Sequence, residues 1–388
     1  MSVDINLILK KAVRINASDV HIKAGSYPIV RISGDLSEMR DEKKLSPEDT
    51  AHIAVCVLKE SQREEFKKSN DIDMAYSVTG LGRFRCNCFV QRGTVGLVFR
   101  FIPPNILDIE QLSLPVVLKK ISMEPRGLIL VTGTTGSGKS TTLASMIDYI
   151  NSNKSVNIMT IEDPIEFLHR DKKSIISQRE VGNDTETFAK ALRAALRQDP
   201  DVILVGEMRD FETVKTALDA AETGHLVVST LHTIDAVETI NRVISVFPPY
   251  QHHQVRAQLS SVLRATISMR LVPKAEGKGM VPAVEVLLGT ATIRSCIEDP
   301  DKTKLIRDHV AEGVSQYGMQ TFDQSLFGLF QKGLITYEEA VNRATNPDDF
   351  ALRVKGVTST KDIWGAGGDI SKDVEDKKKG PEIERFSN

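Results

Sequence analysis

Cysteine is scarce in this chain: Cys56, Cys86, Cys88 and Cys296 are the four in 388 residues. None stands in a C-x-x-C pair, so a disulfide framework and a four-thiolate zinc site are both excluded, and a reducing, cytoplasmic setting is expected. An excess of either charge is missing too, since 50 basic and 52 acidic residues leave a net charge of −2. With one tryptophan and 5% aromatics, the chain offers no basic, aromatic-lined groove, and no nucleic-acid partner is expected. No apolar run approaches the ~18 residues of a membrane-spanning helix. The start, MSVDINLILKKAVR, lacks a charged segment followed by a long apolar core, so no secretory signal is expected. His252 and His253 have no cysteine at ligand spacing, which argues against zinc.

What the chain does have is the stretch Leu128–Thr142, LILVTGTTGSGKSTT. Within it Gly133, Thr134, Thr135, Gly136, Ser137, Gly138, Lys139 and Ser140 complete the pattern G-x-x-x-x-G-K-[ST]. An apolar strand, Leu128–Val131, leads in, and Leu143, Met146, Ile147 and Ile150 follow at helical spacing. The three glycines let the backbone turn its N–H groups toward phosphate oxygens, and the helix start adds its positive dipole end. Lys139 is placed for the β- and γ-phosphates, the Ser140 hydroxyl for Mg²⁺, and Thr141 extends the site. ATP with Mg²⁺ is therefore the expected ligand.

The first third predicts a small α/β sheet domain ending near residue 105. Ile5–Ile15 has a helical period, and Val20–Ile22 and Ile29–Ile32 are short strands. Ser46 caps a helix that begins with Pro47, and Gln62–Lys67 forms another. Asp71–Val78 and Arg83–Val90 form a hairpin, and Gly96–Ile102 is a third strand. Alternation puts Cys86 and Cys88 on one face, in the core, and Arg83 and Arg85 together on the other. That basic face suits either a polyanion or plain solvent. Ile106–Leu118 looks like a linker.

From Gly127 onward strands and helices alternate, which predicts a mostly parallel sheet covered on both sides. The strand Asn157–Ile161 opens into Glu162-Asp163-Pro164-Ile165-Glu166, a cluster fit to hold Mg²⁺ or orient water, and equally fit to cap a helix. Val202–Val205 runs through Gly206 into Glu207, the Walker B arrangement of an apolar strand ending in an acid. His225–Thr230 is a further strand, with His225 at its start and His232 just beyond its end, where a γ-phosphate is sensed. Gln254–Leu271 has the spacing of one helix bearing Arg256, Arg264 and Arg270 on a face. Helices are expected at Thr321–Gln331 and Tyr337–Ala344, and after about Val357 the composition cannot bury a core, which predicts a disordered tail over 357–388.

Four blocks now stand in order: GTTGSGKST, TIEDPIEF, DVILVGEMRD and GHLVVSTLHT. Together they resemble the secretion-type (type II/IV) ATPases, from Ser18–Ile22 to Gly318–Leu326, and within them the branch that retracts type IV pili. The resemblance implies a PAS-like domain over 1–105, a linker at 106–120 and a RecA-like ATPase domain over 121–356. It implies a homohexamer with nucleotide between domains, peripheral at the inner face of the cytoplasmic membrane. An inner-membrane pilus platform protein and a paralogous ATPase are the implied partners. It assigns Glu166 as general base with Glu162 and Asp163 in support, Glu207 as the acid acting on Mg²⁺ through water, and His225 and His232 as a histidine box. Arg83, Arg85 and Arg100 match strands that supply arginine sensors. Assembly members carry extra N-terminal domains and a four-cysteine zinc site. This chain begins in the PAS-like segment and has only Cys296 in the ATPase half outside its strands, which favours retraction. The retraction motif AIRNLI is matched by Thr292–Ile297, where Ile293, Arg294 and Ile297 are kept. Gly318–Gln324 is closer to the accessory paralogue's version of that region. The alternatives to a retraction motor are therefore an accessory ATPase of the same machine and a nucleic-acid translocase on the same core.

Overall fold

The computed structural model describes residues 3–32, 34–102 and 105–356. The stretch expected to form a disordered tail lies outside the described residues.

The first domain is an antiparallel sheet with helices against it. Helix α1 (Ile5–Arg14) is capped by Asp4, whose carboxylate accepts the Asn6 N–H, and it buries Ile5, Ile8, Leu9 and Ala12 at helical spacing. Strands β1 (Asp19–Lys23), β2 (Ile29–Ile32) and β3 (Asp35–Glu38) precede helices α2 (Pro47–Val57) and α3 (Glu60–Ser69). A reciprocal Ser46/Asp49 capping box starts α2, as the Ser-Pro-Glu-Asp signature predicts. Strands β4 (Asp71–Val78), β5 (Gly82–Gln91) and β6 (Thr94–Ile102) complete a six-stranded sheet in the order β3-β2-β1-β6-β5-β4. In β5, Phe84, Cys86 and Cys88 point into the core while Arg83 and Arg85 take the other face. Burial pushes the Cys88 thiol up to about 12, so both cysteines serve as small inert core residues.

The predicted linker is not a free tether. Ile109, Leu114 and Leu118 are buried against Ile129, Val131, Ile147 and Ile150 of the second domain. Helix α4 (Val117–Ser122) leads into β7 (Gly127–Thr132), α5 (Lys139–Asn153), β8 (Asn157–Glu162) and β9 (Ile175–Glu180). Then follow α6 (Phe188–Ala195), β10 (Val202–Val205), α7 (Phe211–Glu222), β11 (Leu226–Leu231) and α8 (Ala236–Ser245). Helix α9 (His252–Val262), strands β12 (Leu263–Pro273) and β13 (Met280–Leu288) and helix α10 (Ala291–Glu298) come next. The sheet has seven strands in the order β13-β12-β7-β11-β10-β8-β9, parallel except for β13 against β12. Both faces of β7 are buried: Leu128 and Leu130 pack toward α6–α10, Ile129 and Val131 toward α4 and α5. Further helices at Phe322–Gln331, Tyr337–Arg343 and Pro347–Val354 pack on β12 and β13 through Val272, Val281 and Ala283.

One expectation fails here. Gln254–Leu271 is not a single helix: α9 ends at Val262, and the chain continues as β12 between β7 and β13. Val255, Leu259, Val262 and Leu263 keep a helical spacing across the break, which hides it. Beyond it, pairing on both edges fixes an extended chain that Thr266, Ile267 and Val272 suit by their branching. The three arginines therefore share no face. Arg256 donates to Ile297 O at 2.8 Å, Arg264 to Arg126 O at 3.0 Å, and Arg270 to Arg343 O at 3.0 Å.

Candidate active site

Parallel registration brings the carboxyl ends of four strands to one edge. Leu231 is level with Thr132, Ser229 with Val205, and Val205 with Ile161. The segments that leave β7, β8, β10 and β11 there carry Lys139, Glu166, Glu207 and His232. In an open parallel sheet this is the edge where ligands bind.

The phosphate loop leaves β7 through Gly133, at φ +142°. A Cβ there would lie 2.5 Å from both Met269 O and Ser137 Oγ, so only glycine fits. Gly136 and Gly138 have φ of +78° and +96°, and Thr134, Thr135 and Gly136 form the exposed tip. No side chain caps α5 at Gly138, so its first N–H groups open onto the loop. The Ser137 hydroxyl is buried and has no hydrogen-bond partner among the described residues. An orphan donor inside a ring of backbone N–H groups fits a phosphate oxygen. Lys139 Nζ donates to Gly133 O at 2.7 Å and Thr134 O at 3.0 Å. Burial lowers its pKa, and the charges of Glu207 and Glu166 oppose that shift. Ser140 and Thr141 follow on the first turn of α5, half-buried.

Glu162, at the end of β8, is held in place. Its Oε1 accepts the Thr160 hydroxyl at 2.6 Å and the Gln178 amide at 3.1 Å, and burial raises its pKa against those bonds. Asp163 is exposed and Glu166 half-buried. Glu207 is placed by two backbone bonds around it: Gly206 N–H donates to Ile161 O at 2.7 Å, and Met208 N–H to Thr230 O at 3.3 Å. Its Oε1 lies 2.6 Å from Arg209 Nε and 3.3 Å from His232 Nε2. Burial disfavours its charge, but Arg209 and His232 outweigh that and hold the carboxyl below its ordinary range. The Arg209 contact was not foreseen; its only signal is a spacing of two from Glu207.

His225 lies at the opposite end of β11 from His232. It stands where β11 begins, its carbonyl accepting the N–H of Gly127 at 3.0 Å, and its Nδ1 is 3.0 Å from Ala220 O. The strand length separates it from Gly133 within the protomer. The three basic-strand arginines also divide. Arg100 pairs with Asp19 at 2.9 Å and Arg85 with Asp73 at 3.5 Å, both within the first domain. Arg83 crosses to the second domain and pairs with Glu180.

Residues 1–318 match the model of the type II/IV secretion system protein family. The chain belongs to that family. It is 46% identical over 347 residues to the type IV pilus retraction ATPase PilT of Pseudomonas aeruginosa, covering 89% of this chain and all of that protein. To the type IV pilus ATPase PilU of the same organism it is 42% identical, over 90% of each chain. A crystal structure of the pilus retraction motor PilT with bound ADP superposes with a TM-score of 0.84 at 48% identity, covering 90% of this chain and 99% of that one.

The segment matched to the retraction motif, Thr292–Ile297, lies on α10. Ile293 and Ile297 are fully buried between α10 and α9, so neither is available to a partner. The outward positions are Thr292, Arg294 and Ser295, with Arg294 Nε donating to Gly289 O at 3.0 Å.

Proposed function

We infer that the protein is an ATP-hydrolysing motor that powers type IV pilus retraction, working as a homohexamer on an inner-membrane platform protein. What carries this reading is the meeting of Lys139, Glu166 and Glu207 at the mouth of a glycine loop with an orphan buried hydroxyl, in a chain of which 89% matches the whole length of PilT. Gly133, Gly136 and Gly138 turn N–H groups to the phosphates, and Lys139 leaves its own loop carbonyls to neutralise the terminal one. Ser140 and Glu207 are hard oxygen donors suited to Mg²⁺, which when bound offsets charge on the phosphate oxygens. Glu166 takes the proton of the attacking water, and His232 donates toward the terminal phosphate beside Glu207. Glu162 and Asp163 support the Glu166 turn. Arg85 and Arg100 lie level on neighbouring strands of the first domain, where a guanidinium pair serves the nucleotide of an adjoining protomer. No described helix is long and apolar enough to cross a membrane. In this reading the platform is met peripherally, at the inner face of the cytoplasmic membrane.

The second reading, an accessory ATPase beside a paralogous motor, is favoured by the 42% identity to PilU. Purified protein and cells separate the two. Lys139→Ala and Glu166→Gln each lower ATP turnover by about 100-fold or more, and deletion of the gene leaves hyperpiliated, non-twitching cells. Unchanged turnover in both variants removes the ATPase roles; normal piliation in the deletion strain removes the retraction role.

A further inference from the structure

Glu180 ends β9 as a carboxylate only 3% exposed. A charge so enclosed persists where partners offset its lost hydration. Its Oε2 accepts the N–H of Ile165 at 3.1 Å and a guanidinium N–H of Arg83, and its Oε1 accepts the Asn183 amide. Ile165 immediately precedes Glu166. Two residues back on the same strand face, Gln178 holds the far side of that turn. Its amide donates to Phe167 O at 2.9 Å, and its oxygen accepts the His169 N–H at 2.9 Å. Glu166 thus sits between two backbone positions, each fixed by a β9 side chain. Arg83 reaches Glu180 from the other domain with a side chain 14% exposed. Its Nε is buried without a partner among the described residues, so the guanidinium is committed through one edge only.

We propose that Glu180 is a positioning residue for Glu166 and that Arg83 acts through it, so the placement of the base depends on where the first domain sits. The proposal rests on the reading of Glu166 as the base. When the first domain swings away, Arg83 leaves and the buried carboxylate loses its counter-charge. The turn it holds by the Ile165 N–H then loosens, and a shift of about 1 Å at a reacting group is enough to cost 100-fold in rate. Domain position and hydrolysis are in this way coupled inside one protomer.

The test is steady-state ATP turnover of the full chain carrying Glu180→Gln, Arg83→Ala, both, or Glu166→Gln. Glu180→Gln and Arg83→Ala each lower kcat about 10-fold with KM for ATP within about 2-fold, and the double variant is no slower than the slower single one. If the two losses multiply, or if Arg83→Ala raises KM at unchanged kcat, Arg83 meets the nucleotide directly and the proposal is overturned. Wild-type kcat in Glu180→Gln overturns it as well. Should thermal unfolding show Glu180→Gln to be unfolded, Arg83→Ala alone decides, since the proposal requires its loss to fall on kcat. Glu166→Gln is read separately: wild-type turnover there defeats the base assignment, whatever the cycle shows.

Discussion

His232 Nε2 stands 3.3 Å from Glu207 Oε1, the same oxygen that Arg209 Nε meets at 2.6 Å. The pair joins the ends of β10 and β11, so the acid at the Walker B position is steadied by the strand next to it. The carboxyl is held below its ordinary value of 4.5. A depressed folded pKa contributes stability that is complete above the unfolded value and lost as pH falls through the folded one. Arg209→Ala removes the stronger of the two holding contacts and brings the folded pKa back toward the unfolded one, so it melts below wild type near pH 6 and the gap narrows on acidification to pH 3. Coincident curves would refute this. His232→Ala lowers kcat about 100-fold by loss of a donor at the terminal phosphate, measurable by phosphate release.

Gly133→Ala tests the tightness of the loop. The added methyl meets Met269 O and Ser137 Oγ at 2.5 Å in a backbone region that L side chains avoid. A loss of about 2–3 kcal/mol in urea unfolding is expected, with nucleotide binding lost alongside. Wild-type stability would mean that the loop has room to spare.

Glu285 predicts an opposite pH signature. It lies buried on β13, accepting the Ala236 N–H at 2.8 Å at the start of α8, with Asp235, Arg270 and Arg307 as its charged neighbours. Burial lifts its pKa from 4.5 to about 7. The folded protein therefore keeps a proton that the unfolded chain has shed. Stability from this group is full below 4.5 and falls as pH rises to about 7. Glu285→Gln, in which the amide oxygen accepts from Ala236 in the same way, should melt about 2 °C or more above wild type at pH 8 and level with it near pH 4. Equal melting temperatures at both values would show that Glu285 is ionised without cost.

Much of the site was legible because its signals are local. Strand, glycine loop and helix follow within Leu128–Thr142, and apolar runs ending in Glu162 and Glu207 announce parallel strands by composition. Alternation in β5 sorted Cys86 and Cys88 from Arg83 and Arg85 without further help. What stayed hidden depends on distant pairing. β9, SIISQRE up to Glu180, is an edge strand too polar to stand out and takes its form from β8 alongside. β12 continues the helical spacing of α9 and turns extended only because β7 and β13 claim both its edges. The contact of Arg83 with Glu180 joins residues 97 apart, and no window of sequence contains both.

The inward isoleucines of α10 have a consequence for how such machines diversify. Ile293 and Ile297 lock the helix to the engine, while Thr292, Arg294 and Ser295 form an outer rind that the core does not feel. Exchange of those outward residues leaves the buried contacts of α10 in place, so the surface of this helix can change letter by letter while its seat in the fold does not.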